Sequence, residues 1–414
     1  MPPRLKKSPL APRAFPALPP IEGVALSARA CGLHYRGRPD LLLAEFAPAT
    51  RAAGVFTQAA ITSPAVDLSR RHLKESGGRA AALVVHAGNA NAFTGAAGAR
   101  LTERIAAHTA RRLKRPVARV LTAATGVIGV LPDSVPILGG IDKASPADWK
   151  TAARAIGTTD TFPKGAARTA RFGSGRVKIN VIAKGSGMIA PNMATMLAFV
   201  FTDAALPVRV MQKLLREAVA RSFNCITVDG DSSTSDSCFL FATGAKPLGG
   251  APLARADDRR LKPFRDALDD ALRDAAIQVV SDGEGISRLM TIDVVGAASD
   301  EDARRIGLAV GNSPLVKTAV AGGDANWGRI VMAVGKSGGR VMRDRLGLDI
   351  GGHKVARNGK RVAGFKEAPI ARHMRGKRVH FVIRVNLPRG RGKARVWASD
   401  LTHGYISINA DYRS

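Results

Sequence analysis

Residues 184–201 of the 414-residue chain read KGSGMIAPNMATMLAFVF. A turn of small residues, Lys184-Gly185-Ser186-Gly187, leads through Pro191 to Ala194-Thr195, and an apolar run from Met196 to Phe201 follows at once. A short continuous apolar run bounded by glycine and proline is the pattern of a buried strand. At the mouth of that strand stands a threonine preceded by a small residue. Its hydroxyl can attack the carbonyl of its own preceding peptide bond, cut the chain and leave Thr195 as a new N-terminus. The freed α-amine, with an ordinary pKa of about 7.7–8.0, then serves as the nucleophile's own base. A threonine opening a strand is also simply a β-branched residue where such residues fit.

The same stretch places Gly185, Gly187 and Ala190 at G-x-G-x-x-A spacing, after the strand-like VKINVIA (177–183) and with Asp203 downstream. A dinucleotide fingerprint needs a helix next, whose N-terminus receives the pyrophosphate. Pro191 and MLAFVF give a turn and a strand instead, so no bound nucleotide cofactor is expected.

Elsewhere short strands and helices alternate, an α/β pattern. AAGVFT (52–57) reads as a strand, 81–95 as a strand running into a Gly/Asn-rich turn, 97–114 as a helix and 117–132 as a strand into a turn. Ser145-Pro146-Ala147-Asp148 resembles a capping box with proline at the first helical position, which predicts a helix through Ile156. Helices are also predicted from Pro207 to Arg221 and over about 257–276. The segment 380–398 reads as a hairpin turning at Gly390 and Gly392.

The hydrophobic fraction is 45%, and no apolar run reaches the roughly 18 residues a membrane span requires. Cys31, Cys225 and Cys238 form no C-x-x-C pair, and the eight histidines make no H-E-x-x-H. No disulfide framework or metal is expected, and a reducing compartment is. The net charge is +30, spread over clusters such as RRLKR (111–115) and MRGKR (374–378), with only 5% aromatic residues. That reads as a solvated basic surface, without a stacking platform for single strands and without a specific nucleic-acid partner. The first 22 residues are basic and proline-rich. Proline breaks the amphipathic helix of a transit peptide, so an extended arm and a cytoplasmic protein are expected.

Nine blocks in order tie the chain to a known family: GVFT (54–57), GNANAFTG (88–95), ATGVIG (124–129), TTDTFPK (158–164), the Thr195 segment, SFNCITVDGDSSTSDS (222–237), SDGEG (281–285), GGDANWGRI (322–330) and INADYRS (408–414). By these the chain resembles the glutamate N-acetyltransferase/ornithine acetyltransferase family of arginine biosynthesis, whose members cleave themselves before a threonine. The resemblance implies a layered α-β-β-α sandwich cut between Ala194 and Thr195 into two interwoven fragments, 23–194 and 195–414. It implies that two copies of each associate. Thr195 would be the nucleophile, and Thr125-Gly126, where a strand ends on glycine, the oxyanion hole. Thr158, Lys184, Thr195, Glu284, Asn409 and Ser414 would contact substrate. Read alone, Lys184 is a lysine before a glycine turn and Glu284 a turn acid between two glycines. Asn409 and Ser414 read alone are tail residues.

The implied reaction moves acetyl from N2-acetyl-L-ornithine to L-glutamate through an acetyl-threonine. Some members also take acetyl from acetyl-CoA, and the residues leave that second donor open. The alternative reading is a self-cleaving threonine aminopeptidase or amidase of related fold, with water as acceptor. A nonenzymatic basic binding protein has only the charge in its favour. Departures from the family pattern, among them His86-Ala87 for Asn-Ser, Phe93, Cys225 and His403-Gly404, bear on pocket shape rather than on reaction class.

Overall fold

The computed structural model describes residues 6–190 and 196–411. Ala194, Thr195 and Ser414 therefore lie outside the described residues. The apolar run after Thr195 is the strand Leu197–Ala204. Because successive side chains of a strand point to opposite faces, Leu197, Phe199 and Phe201 enter one core while Ala198 and Val200 enter another. Both faces are covered, which is why the run does not alternate with polar residues.

That strand is the centre of a five-stranded sheet ordered Arg51–Phe56, Ser237–Lys246, Leu197–Ala204, Gly175–Lys184, Lys164–Phe172. A second five-stranded sheet, ordered Val120–Val127, Ala82–Asn89, Leu41–Phe46, Val24–Arg29 and Ser145–Pro146, lies face to face with it. Leu42, Ala44, Leu83 and Leu121 of the latter meet Phe199, Phe201, Phe239 and Phe241 of the former. Phe46 stacks on Phe241 at 4.4 Å between ring centres. The outer face of one sheet packs through Leu41, Val84 and Val120 on the helices Pro64–Glu75, Gly95–Leu113 and Ser134–Asp142. The other packs through Val177, Ile179 and Leu240 on Val208–Ala220 and Lys262–Val280. The result is the expected α-β-β-α sandwich. In the sheet centred on Leu197–Ala204, strands from both sides of position 195 lie together, those after that position between those before it.

A seven-stranded sheet follows, ordered Ile226–Thr227, Gly392–Ser399, Leu289–Ala297, Arg378–Arg384, Gly347–Ile350, His353–Arg357, Lys360–Arg361. Its inner face, with Met290, Ile292, Phe381 and Val396, packs on residues such as Ile306, Val320, Ile330 and Ile370 of its covering helices. The N-terminal arm is tied down across the sandwich: the Asn180 amide donates to the Pro19 carbonyl at 2.6 Å, and the Ser8 hydroxyl to the Ser281 carbonyl at 2.6 Å.

Three expectations are corrected. The hairpin over 380–398 does not exist: Arg378–Arg384 and Gly392–Ser399 flank Leu289–Ala297, parallel to it on one side and antiparallel on the other. The connection arches over that strand's end, with the Val385 N–H on the Val295 carbonyl at 2.9 Å and the Leu387 N–H on the Gly296 carbonyl at 3.0 Å. Ser145–Pro146 bridges to Val24–Arg29 instead of opening a helix. Asp148 takes the cap position of Trp149–Ala155, accepting from the Thr151 N–H at 2.7 Å. The helix expected over about 257–276 begins at Lys262, after a 3-10 turn at Arg259–Leu261, and runs to Val280.

No described helix is long and apolar enough to cross a membrane. Among the described residues no group of three or more His, Cys, Asp or Glu could hold a metal ion. The three cysteines are free.

Candidate active site

Strand alternation places the site. Lys184 shares the parity of Ile182, so its side chain faces the opposite sheet; Thr125 shares that of Leu121 and Ala123 and faces back. They meet at one end of the sandwich, where the Lys184 Nζ donates to the Thr125 Oγ1 at 3.2 Å, and Lys184 is only 2% exposed. Thr125 and Gly126 stand where the strand pairing slips, with Asn89 opposite both Thr125 and Val127. Gly126 has φ +127° and sits against Gly88.

A cleft of about 610 Å³, including its open mouth, is lined by all six expected residues that the structure describes: Thr125, Gly126, Thr158, Lys184, Glu284 and Asn409. Glu284 is anchored through its own N–H to the Ser186 carbonyl at 3.1 Å. A Cβ at position 187 would stand 2.4 Å from the Glu284 Oε2, so a larger residue there would displace the carboxylate from this position. The C-terminal helix His403–Asp411 crosses the cleft and brings the Asn409 Nδ2 within 2.9 Å of the Glu284 Oε2. The Thr402 hydroxyl donates to the Gly285 carbonyl and fixes the helix's approach. A tail that sequence alone would leave frayed is therefore tied down.

Beneath these residues lies a buried ionic network that the sequence reading missed. Asp160 accepts from the Thr158 N–H at 2.9 Å, from the Gly185 N–H at 2.8 Å and from the Lys164 Nζ. It thereby joins two cleft-lining segments. Lys164 is fully buried and also donates to Asp282 at 2.6 Å. Burial alone would raise the Asp160 carboxyl, but Lys164, Lys184 and the Gly185 N–H outweigh it and hold it well below the usual carboxylate range. Burial pushes the Lys184 ammonium below its ordinary value, with Asp160 opposing the shift and Lys164 adding to it. Lys164 and Asp160 stand at i and i+4 within TTDTFPK, a signal that reads as an ordinary surface pair in the absence of a fold.

Sequence reasoning assigns no site residue to 229–236 either. Ser233, Thr234 and Ser235 line the cleft. Asp229 accepts from the Met188 and Ile189 N–H groups at 2.6 and 2.8 Å, holding Met188 at φ +54°. Asp236 accepts from the Met196 N–H at 2.7 Å, on the far side of residues 190–195.

Residues 25–414 match the ArgJ family. The chain is 48% identical over 412 residues to the arginine biosynthesis bifunctional protein ArgJ of Brucella melitensis, covering 98% of this chain and 99% of that one. It is 51% identical over 415 residues to the ArgJ protein of Gluconobacter oxydans, covering 99% and 96%. Among solved structures, ArgJ from Bacillus halodurans is 34% identical with a TM-score of 0.48, covering 52% of this chain and 98% of that one. Ornithine acetyltransferase from Mycobacterium tuberculosis, complexed with ornithine, is 28% identical with a TM-score of 0.37, covering 41% and 92%. On the family match and these identities, the chain belongs to the ArgJ family.

Proposed function

We infer that this chain is an acetyltransferase of arginine biosynthesis that activates itself by cleavage before Thr195. The observation that carries the reading is the convergence of Thr125, Gly126, Thr158, Lys184, Glu284 and Asn409 on one cleft. In self-cleavage the Thr195 Oγ bonds to the Ala194 carbonyl carbon, the Ala194–Thr195 C–N bond breaks, and the amine takes the hydroxyl proton. Water then hydrolyses the ester, giving an Ala194 carboxylate and a free Thr195.

The mature Thr195 attacks the acetyl group of N2-acetyl-L-ornithine, with its α-amine taking the hydroxyl proton. Thr125 and Gly126 receive the oxyanion, a contribution that mutagenesis elsewhere puts at about 10²–10³ in kcat per donor. The proton passes to the leaving ornithine amine. L-Glutamate's amine then attacks the acetyl-threonine, and N-acetylglutamate leaves. Lys184 is the cation for a substrate carboxylate; Glu284, Asn409, Thr158 and Ser414 supply polar contacts.

The word bifunctional in the relatives' names supports acetyl-CoA as a second acetyl donor. Two copies of each fragment form the assembly we assign, and the free thiols suit the cytoplasm.

Intact mass of the purified protein beside a Thr195→Ala variant tests the reading. Wild type should give two fragments of about 20 and 23 kDa, and the variant one 43.5 kDa chain. An intact chain in both would overturn it. Transfer of labelled acetyl to glutamate, rather than release as acetate, then separates a transferase from an amidase.

A further inference from the structure

Ser8, in the N-terminal arm, holds two separate loops of the cleft at once. Its N–H donates to the Thr161 Oγ1 at 3.0 Å, and its hydroxyl donates to the Ser281 carbonyl at 2.6 Å. Ser281 caps the helix Lys262–Val280, where the last carbonyls have no partner within the helix. The same two loops are joined a second time from within. The Thr161 N–H donates to the Asp282 Oδ2 at 2.8 Å, and the Thr161 hydroxyl donates to the Asp282 Oδ1. Ser8, Thr161, Asp282 and Ser281 therefore close a ring. Thr158 lies three residues before Thr161 and Glu284 three after Ser281, and both line the cleft.

The arm is itself fixed at this point. The Leu10 N–H donates to the Ser8 Oγ at 3.2 Å, the Ala11 N–H to the Ser8 carbonyl at 3.1 Å, and the Lys377 Nζ to the Pro9 carbonyl at 3.3 Å. Leu10 packs against the core that holds Phe264 and Leu268. Phe15 lies over Gly165, where a Cβ would stand 2.7 Å from its ring. Pro9 and Pro12, with φ already set, reduce the freedom this stretch loses on docking.

We propose that Ser8 is a positioning residue of the substrate cleft, clamping the loops that carry Thr158 and Glu284 at a fixed separation before substrate arrives. The proposal rests on the reading above that both residues contact substrate. A loop that must be ordered on binding costs affinity, and a loop held in advance does not. The clamp therefore acts on binding: once substrate is seated, the reacting atoms meet the same groups with or without it. The arm thereby gains a role that its basic, proline-rich composition does not announce.

Variants at Ser8 test this in the cleaved protein. Ser8→Ala should raise KM for N-acetylornithine about 3-fold or more with kcat within about 2-fold. Ser8→Thr, which keeps the hydroxyl, should leave both at wild-type values. Amide hydrogen exchange gives a readout independent of activity. In Ser8→Ala, residues 158–163 and 281–286 should exchange faster while the central strand Leu197–Ala204 keeps its wild-type protection. Unchanged KM in Ser8→Ala, or unchanged exchange in those loops, would overturn the proposal. So would faster exchange throughout, the mark of a general loss of stability. Glu284→Ala separates the clamp from the substrate reading. If that variant leaves KM unchanged, the assignment of Glu284 to substrate fails and the proposal with it. If it raises KM while Ser8→Ala does not, only the role of Ser8 falls.

Discussion

Gly126 lies so close to Gly88 on the neighbouring strand that a Cβ on it would stand 2.3 Å from the Gly88 carbonyl carbon and 2.5 Å from the Asn89 nitrogen. Both obstacles are backbone and cannot rotate away. The positive φ of Gly126 adds conformational strain for any other residue. Gly126→Ala should therefore move the oxyanion donors, and kcat should fall by about 10²-fold or more in steady-state assays of the cleaved protein. Full activity in that variant would remove Gly126 from the oxyanion hole.

Lys184→Met keeps most of the side chain's volume while removing the ammonium that meets Thr125. The expected outcome is a KM for glutamate raised by about 10-fold or more, as for loss of a charged substrate contact. Initial-rate measurements against glutamate concentration check it; an unchanged KM would assign the carboxylate to another cation.

Lys164→Met would leave the buried carboxylates of Asp160 and Asp282 facing each other without their shared cation. Breaking such a group from one side typically costs about 3–5 kcal/mol. Denaturant unfolding should show that loss, and adding Asp282→Asn should recover part of it by removing one of the stranded charges. If Lys164→Met unfolds at the wild-type denaturant concentration, the network is not structural.

His86 is buried, and burial lowers its pKa to about 4 from 6.5. Between those values the unfolded chain binds a proton that the folded one refuses, so stability falls as pH drops from 6.5 towards 4. The whole contribution amounts to roughly 3 kcal/mol once pH is below the folded value. His86→Asn should flatten this part of the curve of Tm against pH. A wild-type curve parallel to that of the variant across the window would show that His86 binds its proton equally in the folded and unfolded states.

The core of the sandwich could be read directly from residue order. The run Met196–Phe201 announces a strand covered on both faces, and the parity of Lys184 with Ile182 follows from strand geometry alone. The glycine after Thr125 marks the close approach that the structure finds at Gly88. What stayed hidden depends on segments far apart in the chain. Arg378–Arg384 and Gly392–Ser399 carry hairpin spacing, and only the distant Leu289–Ala297 keeps them from pairing with each other. Asp160, Lys164 and Asp282 look like surface charges, since no local pattern shows that two sheets and a loop will enclose them. Asp236 is indistinguishable from its neighbours in a polar loop until the fold sets it against the Met196 N–H.

The central sheet draws strands from both sides of the 194/195 junction, with Gly175–Lys184 and Leu197–Ala204 as hydrogen-bonded neighbours. A chain cut there remains one body while folded, because separating the pieces would expose the Phe199–Phe241 layer. The cut changes the order of the reaction that restores it. Before cleavage the two halves meet at the high local concentration their link provides; afterwards they must find each other by diffusion. Refolding then becomes second order in protein, so dilute mature enzyme that has once unfolded should recover far more slowly than its uncut precursor.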